Sequence, residues 1–330
     1  MMPSTAVLSK YRIVVLIPCC NEASTIGIVV ASFRRALPSA SIYVYDNNSR
    51  DDTCRVAATA GAIVRREPLQ GKGEVVRRMF SDIEADIYLL VDGDNTYDAS
   101  AAPELIGELI DRQVDCVSAV RVAIDKSAYR TGHQFGNWIF TKLVGTIFGH
   151  RTADLFTGYR VFSRRFVKSF PALSSGFEIE AEITIHALEL RVLMADVPTR
   201  YAARPEGSVS KLNSYIDGFR ILRTIAVLIK EERPFQFFGA VAIVLMLAAF
   251  VIFLPVFTEY LATGLVRRFP TAILCVGLTL AAGISFACGL VLDTVTRGRR
   301  EMKRLLFLHH PVPSHLADEP HAIRIEQRAS

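Results

Sequence analysis

Two aspartates separated by a single glycine, Asp92-Gly93-Asp94, follow an apolar run that ends at Val91. Carboxylates at that spacing can share one hard cation, Mg²⁺ or Mn²⁺, which takes oxygen ligands and commonly bridges protein acids and a diphosphate. Such a cation neutralises charge building on a departing nucleoside diphosphate. A second acid, Asp46, closes another apolar run and precedes Asn47, Asn48 and Ser49. An acid there can accept a hydrogen bond from a pyrimidine N–H or a ribose hydroxyl. Asp51 and Asp52 suit the cap of the helix that follows. A third cluster, Gln70-Gly71-Lys72-Gly73, joins two glycines to a lysine that can reach an anion; it lacks the GxxxxGK[ST] pattern of a Walker A loop.

These residues need strands and helices to position them. Arg12 to Pro18, Ser41 to Tyr45, Ala62 to Arg65, Asp86 to Val91 and Asp115 to Val120 read as strands. Ser24 to Ala36, Asp51 to Ala60, Gly73 to Glu84 and Ala101 to Gln113 carry helical spacing between them, with Ser24 as an N-cap. Strands alternating with helices predict an α/β fold with a doubly wound, mostly parallel sheet. Ligands of such sheets sit beyond the carboxyl ends of the strands, where the three polar clusters fall.

The rest of the chain has another character. Of 330 residues, 51% are hydrophobic, an excess concentrated beyond about residue 230. Phe235 to Phe257 and Thr271 to Leu292 are almost uncharged, and about 20 apolar residues cross a bilayer. A short connector makes them a predicted hairpin. Lys230 and Arg233 precede it, and Arg297, Arg299, Arg300, Lys303 and Arg304 follow; the connector holds only Arg267 and Arg268. That asymmetry predicts both termini in the cytoplasm. Leu212 to Lys230 reads as an amphipathic helix at the membrane surface. The first apolar run is short and followed by Asn21 and Glu22, so it reads as a buried strand rather than a signal peptide. The formal net charge of +5 carries no aromatic-interleaved basic stripe, which argues against nucleic acid. The six cysteines form no CxxC pair and read as buried, reduced side chains.

Together with Ile17-Pro18-Cys19-Cys20-Asn21-Glu22, the three clusters resemble the family-2 glycosyltransferases of the GT-A fold. Asp46, Ser49, Asp51 and Thr53 match the family's second block. Asp154-Leu155-Phe156-Thr157-Gly158-Tyr159-Arg160 and Arg204 to Leu212 are similar to acceptor-site blocks of polyprenyl-phosphate hexose synthases. The resemblance covers about residues 12 to 230, and the hairpin suits the two-helix members. It implies a catalytic domain over 1–211, an interfacial helix over 212–233, a transmembrane hairpin over 234–296 and a basic cytoplasmic tail over 297–330, all at the cell's inner (plasma) membrane.

By position, the resemblance implies that Pro18, Asn21, Glu22, Asp46, Asn48, Lys72, Asp92 and Gly93 bind the nucleotide sugar. Asp92 and Asp94 would hold Mg²⁺ or Mn²⁺. Arg121, Arg130, Thr157, Arg160, Arg204 and Lys211 would hold phosphates, a task that suits the guanidinium fork. Asp154 would lie near the attacking phosphate or orient Arg160. The implied reaction is inverting transfer of one sugar, from a UDP-sugar, to polyprenyl phosphate, for cell-envelope glycans such as lipopolysaccharide, by a homo-oligomer that can be a tetramer. Thr96-Tyr97 stands where the synthases often carry a Gln. Glu178, Glu180 and Glu182 read as helix-surface carboxylates. UDP-glucose, UDP-N-acetylglucosamine, UDP-galacturonate and GDP-mannose all stay open as donors; Lys126, His133 and Arg151 are candidate cations for an anionic sugar. A different lipid acceptor and a non-catalytic membrane adaptor that keeps the fold are the alternatives.

Overall fold

The computed structural model describes residues 8–123, 154–172, 178–202 and 233–310, with positions 145, 176, 227 and 230. The chain divides into two compact units, Met1–Ser214 with Lys303–Ser330, and Tyr215–Met302.

The first unit runs β1 (Ile13–Cys19), α1 (Ile26–Ala36), β2 (Ser41–Asp46), α2 (Thr53–Thr59), β3 (Ile63–Arg66), α3 (Lys72–Asp82), β4 (Ile87–Leu90), a short 3-10 turn (Ala99–Ala101), α4 (Ala102–Asp111), β5 (Cys116–Ala123), β6 (Arg160–Ser163), α5 (Arg164–Ser169), α6 (Ile179–Leu190) and β7 (Met194–Tyr201). Seven strands form one sheet in the order β3-β2-β1-β4-β6-β5-β7. Only β6 is antiparallel to its neighbours, β4 and β5. The central strands β1 and β4 are apolar along their length, because helices cover both sheet faces and leave no side for polar alternation. One face packs Val29, Val30, Phe33 and Leu105; the other packs Val76, Met79, Phe80 and Phe166. The chain leaves β1 for β2 on one side and returns to β4 on the other. That reversal opens a crevice at the carboxyl ends of β1 and β4.

The predicted elements occur with small shifts, and three expectations need correction. Helix α1 starts at Ile26, with Thr25 rather than Ser24 at the cap position and no side-chain cap bond. Thr25 Oγ donates instead to the Gly93 carbonyl at 2.7 Å, which ties α1 to the Asp92–Asp94 turn. Glu180 and Glu182 are buried in α6, not on its surface. The basic segment after 296 is not a separate tail at its start: α8 (Phe269–His309) continues as helix to His309, helped by an Asp293–Arg297 pair one turn apart. Its end belongs to the first unit, where Lys303 Nζ lies 2.7 Å from Glu189 and Phe307 is covered by the Arg165 guanidinium.

The second unit holds α7 (Pro234–Thr263) and α8 up to Met302. Thirty residues at about 1.5 Å each exceed the thickness of a bilayer's hydrocarbon core. The helices meet where Gly289 lets Phe238 approach and Ser285 Oγ donates to the Phe238 carbonyl at 3.0 Å. Elsewhere their apolar side chains point outward, such as Val251 and Ile284. Two long helices with outward apolar faces are consistent with membrane association. Leu212 to Lys230 lies outside the described residues apart from Val227 and Lys230.

On α6, His186 is 2% exposed, edge-on to Phe166 and Phe170, with Nδ1 unpartnered among the described residues. Burial, seconded by Lys303, pulls its pKa down to about 3. A folded pKa below the unfolded one means the unfolded chain binds the proton first. Stability therefore falls as pH drops from about 6.5 towards 3. His186→Leu should flatten this dependence, read from melting temperatures of the full chain in detergent between pH 7 and pH 4. An unchanged slope would assign the acid sensitivity to other groups.

Candidate active site

The crevice is lined by three turns, each at the end of a strand, and each turn places an asparagine in the left-handed region: Asn21 after β1 (φ 52), Asn48 after β2 (φ 62) and Asn95 after β4 (φ 58). Asparagine tolerates this conformation better than most residues, and such strain gathers at functional sites. The first two turns interlock. Asn21 N donates to Ser49 Oγ at 2.8 Å, and Arg50 N donates to Asn21 Oδ1 at 2.7 Å. Asp51 ties the same turns together, accepting from Ala23 N and from Thr53 N, both at 3.1 Å. Asp52 makes no side-chain cap bond, so Asp51 takes the capping task. Asp46 is buried at the end of β2, its carboxylate 3.3 Å from Ser49 N. Glu22 is buried nearby and donates its N–H to Thr53 Oγ at 2.9 Å. Pro18 lies in β1, and Asn48 Nδ2 donates to the Pro68 carbonyl at 2.9 Å.

The candidate centre is a carboxylate–ammonium–carboxylate cluster, in which the sequence signals Asp92 and Lys72 but not Glu180. Lys72, the first residue of α3, places Nζ 2.5 Å from Asp92 Oδ1 and 2.5 Å from Glu180 Oε1. Its side chain is 9% exposed and that of Glu180 8%. Burial opposes the lysine's charge, but Asp92 and then Glu180 more than offset it, so Lys72 stays protonated. Burial raises the Glu180 pKa, and Lys72 offsets that only in part. Glu180 Oε2 has no hydrogen-bond partner among the described residues. Asp92 keeps 29% of its side chain exposed to the crevice. Gly158 backs it, and any Cβ there would overlap the carboxylate. Asp94 is buried and accepts from Thr96 Oγ at 2.6 Å. Thr96 and Tyr97 thus serve the turn: Tyr97 Oη accepts from Gly158 N at 2.9 Å.

This donor set suits a hard cation. No group of three His, Cys, Asp or Glu side chains able to enclose a metal occurs among the described residues. Mg²⁺ and Mn²⁺ need no such cage: one or two carboxylates suffice when a diphosphate and water complete the shell.

Beside this centre, Arg121 on β5 makes a two-point bond to Asp154, at 2.6 and 2.8 Å, and stacks over Tyr201. Burial alone would raise the Asp154 pKa; the Arg121 bond outweighs it and holds the carboxyl below the usual range. Asp154 therefore orients Arg121 rather than Arg160. Arg160 is 1% exposed and donates to the carbonyls of Thr157 and Leu155, at 3.1 and 2.8 Å. These bonds hold it in the protein interior. Thr157 Oγ is likewise turned inward, onto the Ala119 carbonyl. Lys126, Arg130, His133, Arg151, Arg204 and Lys211 lie outside the described residues. The burial of Glu180 beside Lys72 is not legible in the sequence. Its only sequence signal was two further acids, each two residues away, which separates no buried acid from exposed ones.

The chain is 32% identical over 228 residues to glycosyltransferase AglJ of Haloferax volcanii, covering 69% of this chain and 75% of the relative. The family model for glycosyl transferase family 2 matches residues 14–170. The chain belongs to glycosyltransferase family 2. The match spans the crevice from β1 to β6, including Asp46, Lys72 and Asp92, and ends before Glu180. Polyprenol monophosphomannose synthase of Mycolicibacterium smegmatis is 25% identical over 222 residues, covering 61% of this chain and 81% of that one. Among solved structures, glucosyl-3-phosphoglycerate synthase from Mycobacterium tuberculosis, in complex with Mn²⁺, UDP and glucosyl-3-phosphoglycerate, superposes with a TM-score of 0.56 at 22% identity. The alignment covers 69% of this glycosyltransferase and 84% of the neighbour. The fold is therefore GT-A, and the chain is an enzyme of the glycosyltransferase class.

Proposed function

We propose that this glycosyltransferase moves one sugar from a uridine-diphosphate sugar to a polyprenyl phosphate at the cytoplasmic face of the inner membrane, with inversion at the anomeric carbon. The observation that carries the reading is the Asp92–Lys72–Glu180 cluster in the crevice of a chain that also bears two long apolar helices. Polyprenol phosphate is the acceptor that the mycobacterial relative's name implies, and UDP with Mn²⁺ were held by a GT-A neighbour.

Under this reading, Asp46 takes the nucleoside, with Pro18, Asn21, Glu22 and Asn48 shaping its pocket. Asp92 and Asp94 would hold the divalent cation, with Gly93 leaving the turn room; the cation supplies charge neutralisation for the leaving diphosphate. The Lys72 ammonium adds fixed positive charge beside the same position, already in place before reaction. Glu180 shares the Lys72 ammonium with Asp92 and so helps hold it beside that position. Arg121, held in one orientation by Asp154, faces the acceptor phosphate; Arg130, Arg204 and Lys211 belong to the same task. A phosphate monoester is largely ionised at neutral pH, so its oxygen attacks the anomeric carbon without a base, and the bond to the diphosphate breaks. The low pKa of Asp154 agrees with this, since a general base works best when tuned near the operating pH. The basic flanks of the apolar helices support the cytoplasmic placement.

The test is transfer by the purified full chain in detergent, offered a short polyprenyl phosphate, Mg²⁺ or Mn²⁺ and a panel of labelled UDP- and GDP-sugars. The expected product is a mild-acid-labile lipid whose formation EDTA stops. UDP binding without product from any donor would exclude polyprenyl phosphate as acceptor. No nucleotide binding would remove the catalytic reading altogether.

A further inference from the structure

We propose that Asn47 is a positioning residue that locks the Gln70–Lys72 loop, and so sets where the Lys72 ammonium stands in the donor site. The inference rests on the reading of Lys72 as a working part of that site.

A primary amide offers two N–H donors and two acceptor lone pairs. The Asn47 side chain uses all four on one loop. Nδ2 donates to the carbonyls of Glu67 and Leu69, at 3.0 and 2.7 Å. Oδ1 accepts from Gln70 Nε2 at 3.1 Å and from Gly71 N at 2.7 Å. Two carbonyls face the nitrogen and two N–H groups face the oxygen, so the network fixes the orientation of the amide. Nothing remains for a ligand, which separates this residue from Asp46 beside it. Asn47 is buried and anchored at its own backbone, where its N–H donates to the Cys19 carbonyl at 2.8 Å. It therefore pins the loop to the ends of β1 and β2.

The loop needs such a lock. Gly71 holds φ 139, open only to glycine at low cost, and gives α3 no side-chain cap of its own. The Gly71 N–H at the start of α3 is met instead from Asn47. The next residue is Lys72, whose ammonium must lie within hydrogen-bond reach of two acids at once. Small displacements at a charge-stabilising group cost large factors in rate.

The experiment is a double-mutant cycle on the full chain in detergent, with Asn47→Ala, Lys72→Ala and both together, plus Asn47→Asp. Asn47→Ala is expected to lower kcat at least tenfold with the donor KM changed less than threefold. In the Lys72→Ala background it should cost less than twofold more. Additive losses would overturn the proposal. Asn47→Asp, of equal size, turns a carboxylate oxygen towards two carbonyls, and should lose as much as Asn47→Ala. Wild-type behaviour of Asn47→Asp would also overturn it. Hydrogen exchange supplies a readout free of activity: amides of residues 69–75 should exchange at least tenfold faster in either variant, with those of β1 and β4 unchanged. If the wild type transfers no sugar, the functional reading fails, and exchange still decides the lock. Unchanged exchange sinks it.

Discussion

Lys72→Met should lower the stability of the protein by about 3–5 kcal/mol, the range for removing one partner of a buried ion pair. Methionine fills much of the lysine's volume, so little of the loss comes from a cavity. The loss comes from Asp92 and Glu180, which then face each other without the ammonium between them. The effect depends on pH with a definite sign. Burial already raises the folded pKa of Glu180, so its contribution is greatest below the ordinary carboxyl range and is lost as pH rises through the folded value. Without Lys72 that rise has no offset. The variant should therefore be nearest to wild type at about pH 4–5 and fall further behind towards pH 8. Glu180→Gln added to Lys72→Met should restore much of the loss at pH 8, because the amide carries no charge. Melting temperatures of the full chain in detergent at both pH values check this. Equal destabilisation at both, or none, would show that the three side chains do not act as one buried cluster.

Asp94→Ala should reduce sugar transfer by about 10³-fold or more, the scale for losing a main centre of transition-state charge stabilisation. Its structural cost is much smaller. The carboxylate accepts from Thr96 Oγ, a bond worth about 1.5–3 kcal/mol for a charged acceptor. Circular dichroism and detergent extraction should therefore match wild type while turnover disappears. Transfer that persists undiminished with Mg²⁺ or Mn²⁺ present would remove Asp94 from the metal assignment.

The strand-ending acids were legible because the pattern that makes a buried strand also reveals where it stops. Ile87 to Leu90 is wholly apolar, and the first acid beyond it must lie at the strand's carboxyl end. The same logic placed Asp46. The apolar helices were legible from their length, but not the end of α8, since the basic residues after 296 suit a helix as well as a tail. Glu180 was misread because acids at 178, 180 and 182 fit no single helix face, and a helix covered on all sides does not show the amphipathic stripe that separates buried from exposed positions. Arg160 illustrates the reverse case. A guanidinium usually marks an anion site, yet here two of its nitrogens, Nε and Nη2, bond backbone carbonyls in the interior.

By itself the sequence determined the alternation of strands and helices, the acids at the strand ends and the two long apolar segments. These follow from local periodicity and from the fixed chemistry of side chains. Only the tertiary structure decided that Lys72 and Glu180, 108 residues apart, share one buried contact, that Asp154 serves Arg121, and that Asn47 holds the loop before Lys72. Those pairings depend on how the sheet order brings distant elements together, and burial then makes each charge or amide seek the partner that no neighbour in sequence supplies.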